Sequence, residues 1–229
     1  MEQERGWLLA YTKHGDHNAV LHCFTLKNGY NSYFIKGIFA PKNRKKAFIQ
    51  PLREIEFLVR NSSNSALKSI HNIELAPNAF QDWNTDFKLG AIVFFVSDFL
   101  NQILRHENSN PELYEEIRAL QSQFQNKNYA CHLVFLHRLL QIQGLQPLYS
   151  TNPFLDPETA QFIPTQAHSV FNQSVSELWQ TLSLAKEPYA TIIPSKERAF
   201  FLDSLLIYYH YHFGNFRSPN SLEVLKQLF

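Results

Sequence analysis

The hydrophobic pattern of this chain changes its period between residues 76 and 86, and this change strongly limits the folds that the chain can adopt. Before it, apolar and polar residues alternate in short runs, as in half-buried strands. From residue 86 onward, apolar residues recur every three or four positions, as in buried helices. The sequence therefore predicts an α+β protein with a break near Ala76-Pro77-Asn78: a barrel domain over residues 1–78 and a helical domain over residues 79–229.

Five short strands are predicted in the barrel part. They cover residues 7–13, 20–24, 30–36, 53–60 and 67–75. In the first strand, Trp7, Leu9 and Tyr11 alternate with their neighbours and are predicted to share one face. Asn28-Gly29 is a strong turn signal because this pair adopts positive φ at low cost, and residues 61–65 predict a polar turn. Such strands indicate a small closed or partly closed barrel, with an SH3-like barrel as the alternative.

The helical part is predicted to hold about six helices and one irregular insert at about residues 145–170. The signals that mark helix ends are Asn110-Pro111 at a start, Gly144 after an end, the capping box Ser174-Val175-Ser176-Glu177, Ser195 as a cap, and Ser218-Pro219 at the last start. Within the insert, residues 154–163 predict a small hairpin with its turn at Asp156-Pro157.

The charge of the chain is unevenly distributed, although the formal net charge is only +1. Residues 1–81 hold 11 Lys and Arg against 6 Asp and Glu, a net of +5. Residues 82–229 hold 10 against 14, a net of −4. This asymmetry indicates two tasks on one chain, with a polyanion for the basic part and protein partners for the acidic part.

The location of the protein is predicted from its cysteines and its apolar runs. Cys23 and Cys131 form neither a CxxC motif nor a disulfide framework, so reduced thiols in a cytosolic protein are expected. The first residues carry charges of both signs and predict no signal peptide. The longest apolar run, residues 91–96, is too short to span a bilayer, so no membrane association is expected.

Residues 36–53, KGIFAPKNRKKAFIQPLR, carry the densest charge of a single sign in the chain and no carboxylate. Their glycine and prolines predict a loop, and an aromatic run precedes them. Cations neutralise phosphates and exposed rings stack on bases, so this combination favours a surface for single-stranded nucleic acid. For the charges alone, a merely solvated surface is the alternative. The predicted DNA contacts are Lys36, Lys42, Arg44, Lys45 and Lys46 for phosphates, and Tyr30, Phe34 or Phe39 for bases.

The pattern alone does not decide which aromatic residues face outward. Tyr33 and Ile35 share one face of the third strand and Phe34 takes the other. If Tyr33 belongs to the core, Tyr30 and Phe34 are the outward candidates. Phe39 is the aromatic residue that we expect to be most exposed.

No enzyme, cofactor or metal site is predicted. His14, Asp16 and His17 lie in one turn, but no further ligand is close in the sequence. On a helix, Cys131 and His132 point about 100° apart and cannot pair as nucleophile and base. No GxxxxGK[ST], GxSxG, GxGxxG or HExxH motif occurs.

Seven segments of the chain, taken in order, resemble one known family. They are GWLLAYTKHGDHNAVLHCFTLKNG, FIKGI, IQPL, IEFLVR, FFVSDFLNQILRHENSNPELYEEI, HLVFLHRLLQIQGLQP and HYHFGNFRSPNSLEVLKQLF. Their order and spacing resemble RecO, the bacterial recombination mediators, over nearly the full length. The resemblance implies a five-stranded N-terminal OB-fold, a helical domain, binding of single- and double-stranded DNA, and ATP-independent annealing. It also implies partnership with RecR and with the C-terminal tail of single-stranded DNA-binding protein, for recombinase loading at the nucleoid.

Two departures from that family change what is expected here. Many members carry a four-cysteine zinc module, whereas residues 145–168 contain no cysteine, so no structural zinc is predicted. The family often has an arginine pair early in the third helix, where this chain has Leu133-Val134 before Phe135. His137 and Arg138 could supply the charge instead, so the site for the partner's tail is predicted at Phe135, His137 and Arg138.

Three functions therefore stay open from the sequence. The first is a non-enzymatic, DNA-binding mediator of recombinational repair. The second is an adaptor whose barrel binds a protein, with the basic loop serving solubility. The third is an enzyme on the helical part that lacks a recognisable motif.

Overall fold

The N-terminal strands form a closed five-stranded barrel in the computed structural model, which describes residues 1–60, 67–77 and 86–227. The strands are β1 (Glu2–His14), β2 (Asn18–Thr25), β3 (Gly29–Ile35), β4 (Arg53–Arg60) and β5 (Lys68–Leu75). Their order is β1-β2-β3-β5-β4, with β3 and β5 parallel and the other pairs antiparallel. This is the order of an OB-fold, which confirms the predicted fold class and excludes the SH3-like alternative. The turn predicted at residues 61–65 lies outside the described residues.

A β-bulge in β1 changes which side chains face the barrel interior. Leu8 pairs with Cys23 and Ala10 pairs with His22, so Leu9 is the extra residue. The ladder leaves the Leu9 carbonyl unpaired, and the Ser97 hydroxyl donates to it.

Beyond the bulge, the side chains of β1 point to the face opposite to the one that a regular alternation would give them. Tyr11 pairs with the buried Leu21 and Lys13 pairs with the buried Ala19, so both follow the face of the core. The prediction that Tyr11 shares a face with Trp7 is therefore wrong, because it assumed an unbroken alternation.

The barrel interior is apolar. It is lined by Leu8, Ala19, Leu21, Cys23, Tyr33, Ile35, Ile38, Ile49, Ile55, Phe57, Val59, Ile70 and Ile73. The rings of Tyr33 and Phe57 meet edge to face at 4.9 Å. Ile38 and Ile49 come from the segment between β3 and β4, so this segment closes one end of the barrel.

Helices α1 (Phe87–Ile103) and α2 (Pro111–Gln125) follow the barrel, and α1, the connection between them and the start of α2 pack on its outer face. Trp7 is fully buried there, and its indole N–H donates to the Tyr114 carbonyl at 3.2 Å. Gly29 has a φ of +66°, and a Cβ at this position would approach the Glu107 carbonyl oxygen to 2.3 Å. Both the conformation and the close approach therefore require glycine here.

The chain divides into two compact units. Unit 1 comprises Met1–Tyr114 and Pro219–Ser221, so it holds the barrel and α1. Unit 2 comprises Glu115–Ser218 and the chain from Leu222 onward. The domain boundary predicted near residue 78 stays a prediction, because residues 78–85 lie outside the described part.

Unit 2 contains four further helices and a small hairpin. These elements are α3 (Cys131–Ile142), β6 (Phe154–Asp156), β7 (Gln161–Ile163), α4 (Gln173–Leu184), α5 (Arg198–His212) and α6 (Leu222–Lys226). Trp179 lies at the centre of the core, where its indole N–H donates to the Ser204 hydroxyl at 3.0 Å. Its ring packs against Tyr208 at 4.8 Å.

The hairpin predicted over residues 154–163 is confirmed, and side-chain hydrogen bonds hold it. The Asp156 carboxylate accepts from the Glu158 N–H at 3.1 Å and from the Thr159 hydroxyl at 2.7 Å. Gln180 of α4 donates to two backbone carbonyls that precede the hairpin, each at 2.9 Å. These contacts fix the insert against α4.

Two of the predicted helix ends are confirmed. The Asn110 side chain accepts from the Leu113 N–H at 3.1 Å, as a cap of α2 does. Gly144 follows α3 with a φ of +69°.

Three other predicted helix ends are wrong. The cap of α4 is Asn172, whose side chain accepts from the Val175 N–H at 3.0 Å, while the Ser174 hydroxyl donates to the side chains of Asn172 and Glu197. Ser195 begins a 3-10 turn that leads into α5, and it makes no capping hydrogen bond. The last helix begins at Leu222, not at Ser218-Pro219.

Candidate nucleic-acid interface

The basic segment between β3 and β4 is an ordered cap on the barrel. Gly37 has a φ of +68°, and its N–H donates to the Asn18 side chain at 2.9 Å. The Asn43 amide donates to the Gly37 carbonyl at 2.9 Å, and Asn43 also caps the 3-10 helix Arg44–Phe48. These contacts hold the backbone of the segment, and most of its charged side chains are exposed to the solvent.

Five cations of this segment, called the loop cations below, form the candidate phosphate contacts. They are Lys36, Lys42, Arg44, Lys45 and Lys46. Four are exposed, and Lys45 is half-buried with its ammonium donating to the Asn72 side chain at 2.8 Å. Within the residues that the structure describes, none of the five forms an ion pair with a carboxylate. Their charge is therefore available to a partner outside the chain.

Arg53, the last cation of the basic stretch, belongs to the barrel instead. It is 6% exposed, and its guanidinium donates to the Ala47 carbonyl at 3.0 Å. It holds the end of the cap and lies away from the solvent.

Phe39 is less exposed than the sequence predicted. It is half-buried against the barrel core, and its ring lies 5.6 Å from the ring of Tyr11. The Lys13 ammonium lies 5.3 Å from the centre of the same ring, in cation–π geometry. The prediction that Phe39 is the most exposed aromatic residue is wrong, because its segment folds back over the open end of the barrel.

Tyr30 and Phe34 take the outward face of β3, because Tyr33 is fully buried in the core. The Phe34 ring is half-buried and lies 5.7 Å from the ring of His14. The Tyr30 ring stacks on His22 at 6.4 Å, and its hydroxyl donates to Asn101 at 2.9 Å. A contact of either ring with a base stays a prediction.

Two residues of this surface were missed by reasoning from the sequence. Tyr11 and Lys13 lie beside Phe39 at the end of the barrel that carries the loop cations. Their position depends on the bulge at Leu9, and the residue types around Leu9 do not predict a bulge. Thus a regular strand pattern could not have found them.

Comparison with known proteins finds sequences similar to the barrel and to the chain as a whole. Residues 1–78 match the family model described as "Recombination protein O N terminal". The chain is 27% identical over 230 residues to the DNA repair protein RecO of Flavobacterium psychrophilum, with 97% of this chain and 96% of the relative covered. It is 28% identical over 249 residues to that of Bacteroides fragilis, with 100% and 99% covered.

The chain is thus similar to RecO proteins over nearly its full length, and its barrel matches the model of their N-terminal part. Its closed barrel is the part that the RecO family model covers, and it carries all five loop cations. In the part of the chain that the structure describes, no helix is long and apolar enough to cross a membrane. Among the same residues, no three His, Cys, Asp or Glu side chains are grouped as metal ligands.

The predicted site for the partner's tail lies largely inside unit 2. Phe135 and His137 are fully buried, and the His137 ring packs against Trp179 at 5.2 Å. Burial lowers the pKa of His137 to about 3, so this ring is neutral and brings no charge. Arg138 is partly exposed, with its guanidinium 3.5 Å from the Glu116 carboxylate. The site stays a prediction, and of its three residues Arg138 alone is accessible.

Proposed function

We propose that this protein is a non-enzymatic, DNA-binding mediator of recombinational repair. One observation carries the proposal: the loop cations are held outward on an ordered cap, and they have no carboxylate partner in the described chain. Relatives that align over nearly the whole chain are named DNA repair proteins, which supports the repair role.

In this proposal the barrel end binds single- and double-stranded DNA through its phosphates. The loop cations neutralise phosphates, and their arrangement on an ordered cap limits the backbone entropy lost on binding. Phe34 and Tyr11 present partly exposed rings on which unpaired bases stack. The Phe39 ring packs against the Tyr11 ring.

Annealing of complementary strands follows from the same surface without ATP. Two phosphate backbones repel each other, and partial neutralisation by the loop cations lowers that repulsion. A strand that is held extended also exposes its bases to a complement. We therefore assign the annealing activity to the barrel end.

Two protein partners belong to the proposal: RecR, and the C-terminal tail of single-stranded DNA-binding protein. With them the protein loads recombinase on coated DNA. Residues 82–229 carry a net charge of −4, so most of this part is proposed to hold protein partners. Arg138 is the residue through which we expect unit 2 to contact an acidic tail.

The test is the affinity for a short single strand across a salt series. Changing Lys42, Arg44, Lys45 and Lys46 to Ala removes four phosphate contacts, so the log–log salt slope should flatten by roughly 3, at about 0.7 per contact. The control changes four exposed lysines elsewhere, Lys88, Lys127, Lys186 and Lys196, and removes the same net charge. An unchanged slope in the loop variant, with the fold intact, would reject the barrel end as the DNA site.

The adaptor is the second candidate, and the same titration separates it from the mediator. A basic cap that serves only solubility gives no salt-dependent binding of nucleic acid by the wild type. In that case, capture of a protein by the barrel becomes the leading function.

A further inference from the structure

A second group of accessible side chains lies on the outer face of β1, β2 and β3, beside the loop cations. The antiparallel register places them on one surface, and they are Thr12, His14, Val20, His22, Tyr30, Ser32 and Phe34. Each is exposed or half-buried, and none is a carboxylate. The face therefore presents rings and hydroxyls to the solvent without negative charge.

Hydrogen bonds and ring contacts order this face across all three strands. The His22 ring lies between two hydroxyls, with Thr12 Oγ1 at 3.4 Å from Nε2 and Ser32 Oγ at 2.9 Å from Nδ1. Tyr30 stacks on the same ring with an angle of 15° between the planes. Phe34 lies at the end of β3 that leads into the loop cations.

The chain that follows α1 is fixed against the other end of this face. The Tyr30 N–H donates to the Glu107 carbonyl at 2.9 Å, and its hydroxyl donates to Asn101 at 2.9 Å. The Ser109 hydroxyl donates to the Leu26 carbonyl at 2.7 Å. This docking holds residues 101–109 beside the start of β3.

Arg105 lies in that docked segment, and its side chain is exposed. The Arg105 guanidinium affects the pKa of both rings of the stacked pair. Burial lowers the pKa of His22 and Arg105 lowers it further. Burial raises the pKa of Tyr30, and Arg105 opposes that rise. A cation therefore stands next to the Tyr30–His22 pair, at the end of the face that is remote from the loop.

We propose that a single strand of nucleic acid held by the loop cations continues over this outer face and places a phosphate on Arg105. This inference rests on the proposed function, and it extends the DNA site from the barrel onto the end of α1. Phe34 and Tyr30 are four residues apart on β3, which is about 13 Å along a strand. Rings without competing carboxylates thus lie between two cationic ends, the arrangement that suits a polyanion with stacking bases.

The carboxylate nearest in sequence does not oppose this path. The Glu107 side chain accepts a hydrogen bond from the Asn110 amide at 3.4 Å, within its own turn. Arg105 has one other role available to it: a cation after the last turn of α1 stabilises the helix through its dipole. That role predicts a change in thermal stability and none in the length dependence of binding.

The experiment measures binding of oligothymidines from about 4 to about 24 nucleotides, since one OB-fold occupies roughly 4–16. The variants are Arg105→Ala and, as matched control, Lys88→Ala. Lys88 is an exposed cation in the first turn of α1, about 25 Å from the end of that helix along its axis. Thermal unfolding of both variants checks that the fold is retained.

We expect Arg105→Ala to bind the shortest strands like the wild type and to bind the longest ones about fivefold more weakly, the upper range for one exposed charge pair. On long strands its salt slope should be flatter by about 0.7, whereas Lys88→Ala should match the wild type at every length. Equal binding by Arg105→Ala and the wild type at all lengths would overturn the inference. So would an equal loss at all lengths.

Failure of this inference can be distinguished from failure of the proposed function. If the loop variant loses its salt slope and Arg105→Ala does not, the DNA site ends at the barrel. If the wild type binds no oligothymidine at any length, both proposals are rejected together.

Discussion

Unit 1 contains two groups of charges that differ in where their partners are. Arg5 and Glu54 face each other at 2.8 Å, and the Tyr114 hydroxyl donates to the same carboxylate at 2.8 Å. Glu54 is only 3% exposed, so this group joins the barrel to the start of α2. The loop cations lie on the same barrel but have no carboxylate partner among the described residues. Charges that are satisfied inside the chain stabilise the fold, and charges left unsatisfied at the surface are available for binding.

The largest effect should come from breaking the internal group. Glu54→Ala leaves the Arg5 guanidinium and the Tyr114 hydroxyl without their shared acceptor, so we expect unfolding free energy to fall by about 3 kcal/mol. Urea unfolding measures it. Glu56→Ala is the matched control on the same strand, because Glu56 is half-exposed and lies 3.8 Å from Arg5. A similar loss in both variants would mean that the carboxylates of β4 act through general charge and not through this contact.

The second effect concerns inward-facing histidines of α3. Burial lowers the pKa of His137 to about 3 and that of His132 to about 4. The folded chain therefore binds fewer protons than the unfolded chain below about pH 6.5, and acid favours unfolding. Each histidine should cost roughly 1.4 kcal/mol of stability per pH unit between about pH 6.5 and pH 4.

Urea unfolding at several pH values between 7 and 5 measures this slope. His137→Leu removes one of the two titrating groups, so the slope should fall by about half. An unchanged slope in that variant would show that His137 does not titrate on unfolding.

The third effect concerns the outward charges alone. Arg44→Ala should weaken binding of a single strand up to about fivefold and change the unfolding free energy by less than about 0.5 kcal/mol. Fluorescence titration and urea unfolding of one preparation give both values. A loss of stability without a loss of affinity would mean that Arg44 stabilises the fold and does not contact DNA.

The smallest expected effect is a change in the pKa of His22 when Arg105 is replaced. Arg105 lowers the pKa of His22, so Arg105→Ala should raise that pKa, and burial should still keep it below the usual value. A pH titration of the His22 ring by NMR follows the change. If the pKa of His22 stays constant, the Arg105 guanidinium lies too far from the His22 ring for both to contact the same DNA strand.

Sequence patterns predicted the parts of the barrel whose environment is simple. The strand over residues 53–60 is found with the same bounds, because its alternation is unbroken. The shared face of Tyr33 and Ile35 is also found, since one side of β3 fills the barrel. The outward placement of the loop cations follows from the glycine and prolines of their segment, which exclude a helix interior.

Other parts depend on contacts that no local pattern contains. Trp7 and Leu8 are adjacent and both fully buried, because α1 and α2 cover the outside of β1 while the core fills its inside. The sequence predicted His137 as a contact for a partner, but α3 is surrounded by its neighbours and buries polar and apolar residues alike. The alternation of apolar and polar residues reveals burial on one face of an element. It therefore fails for a strand or helix that is buried on two faces.

The bulge at Leu9 has a consequence for how this surface can change. Substitutions at Tyr11 or Lys13 alter the side chains at the barrel end but leave their direction unchanged. Deletion of Leu9 would remove the extra residue and restore the regular pleat, while Tyr11 and Lys13 would keep Leu21 and Ala19 as their cross-strand partners. Loss of that single codon would therefore remove the carbonyl to which Ser97 donates and leave the direction of the barrel-end side chains unchanged.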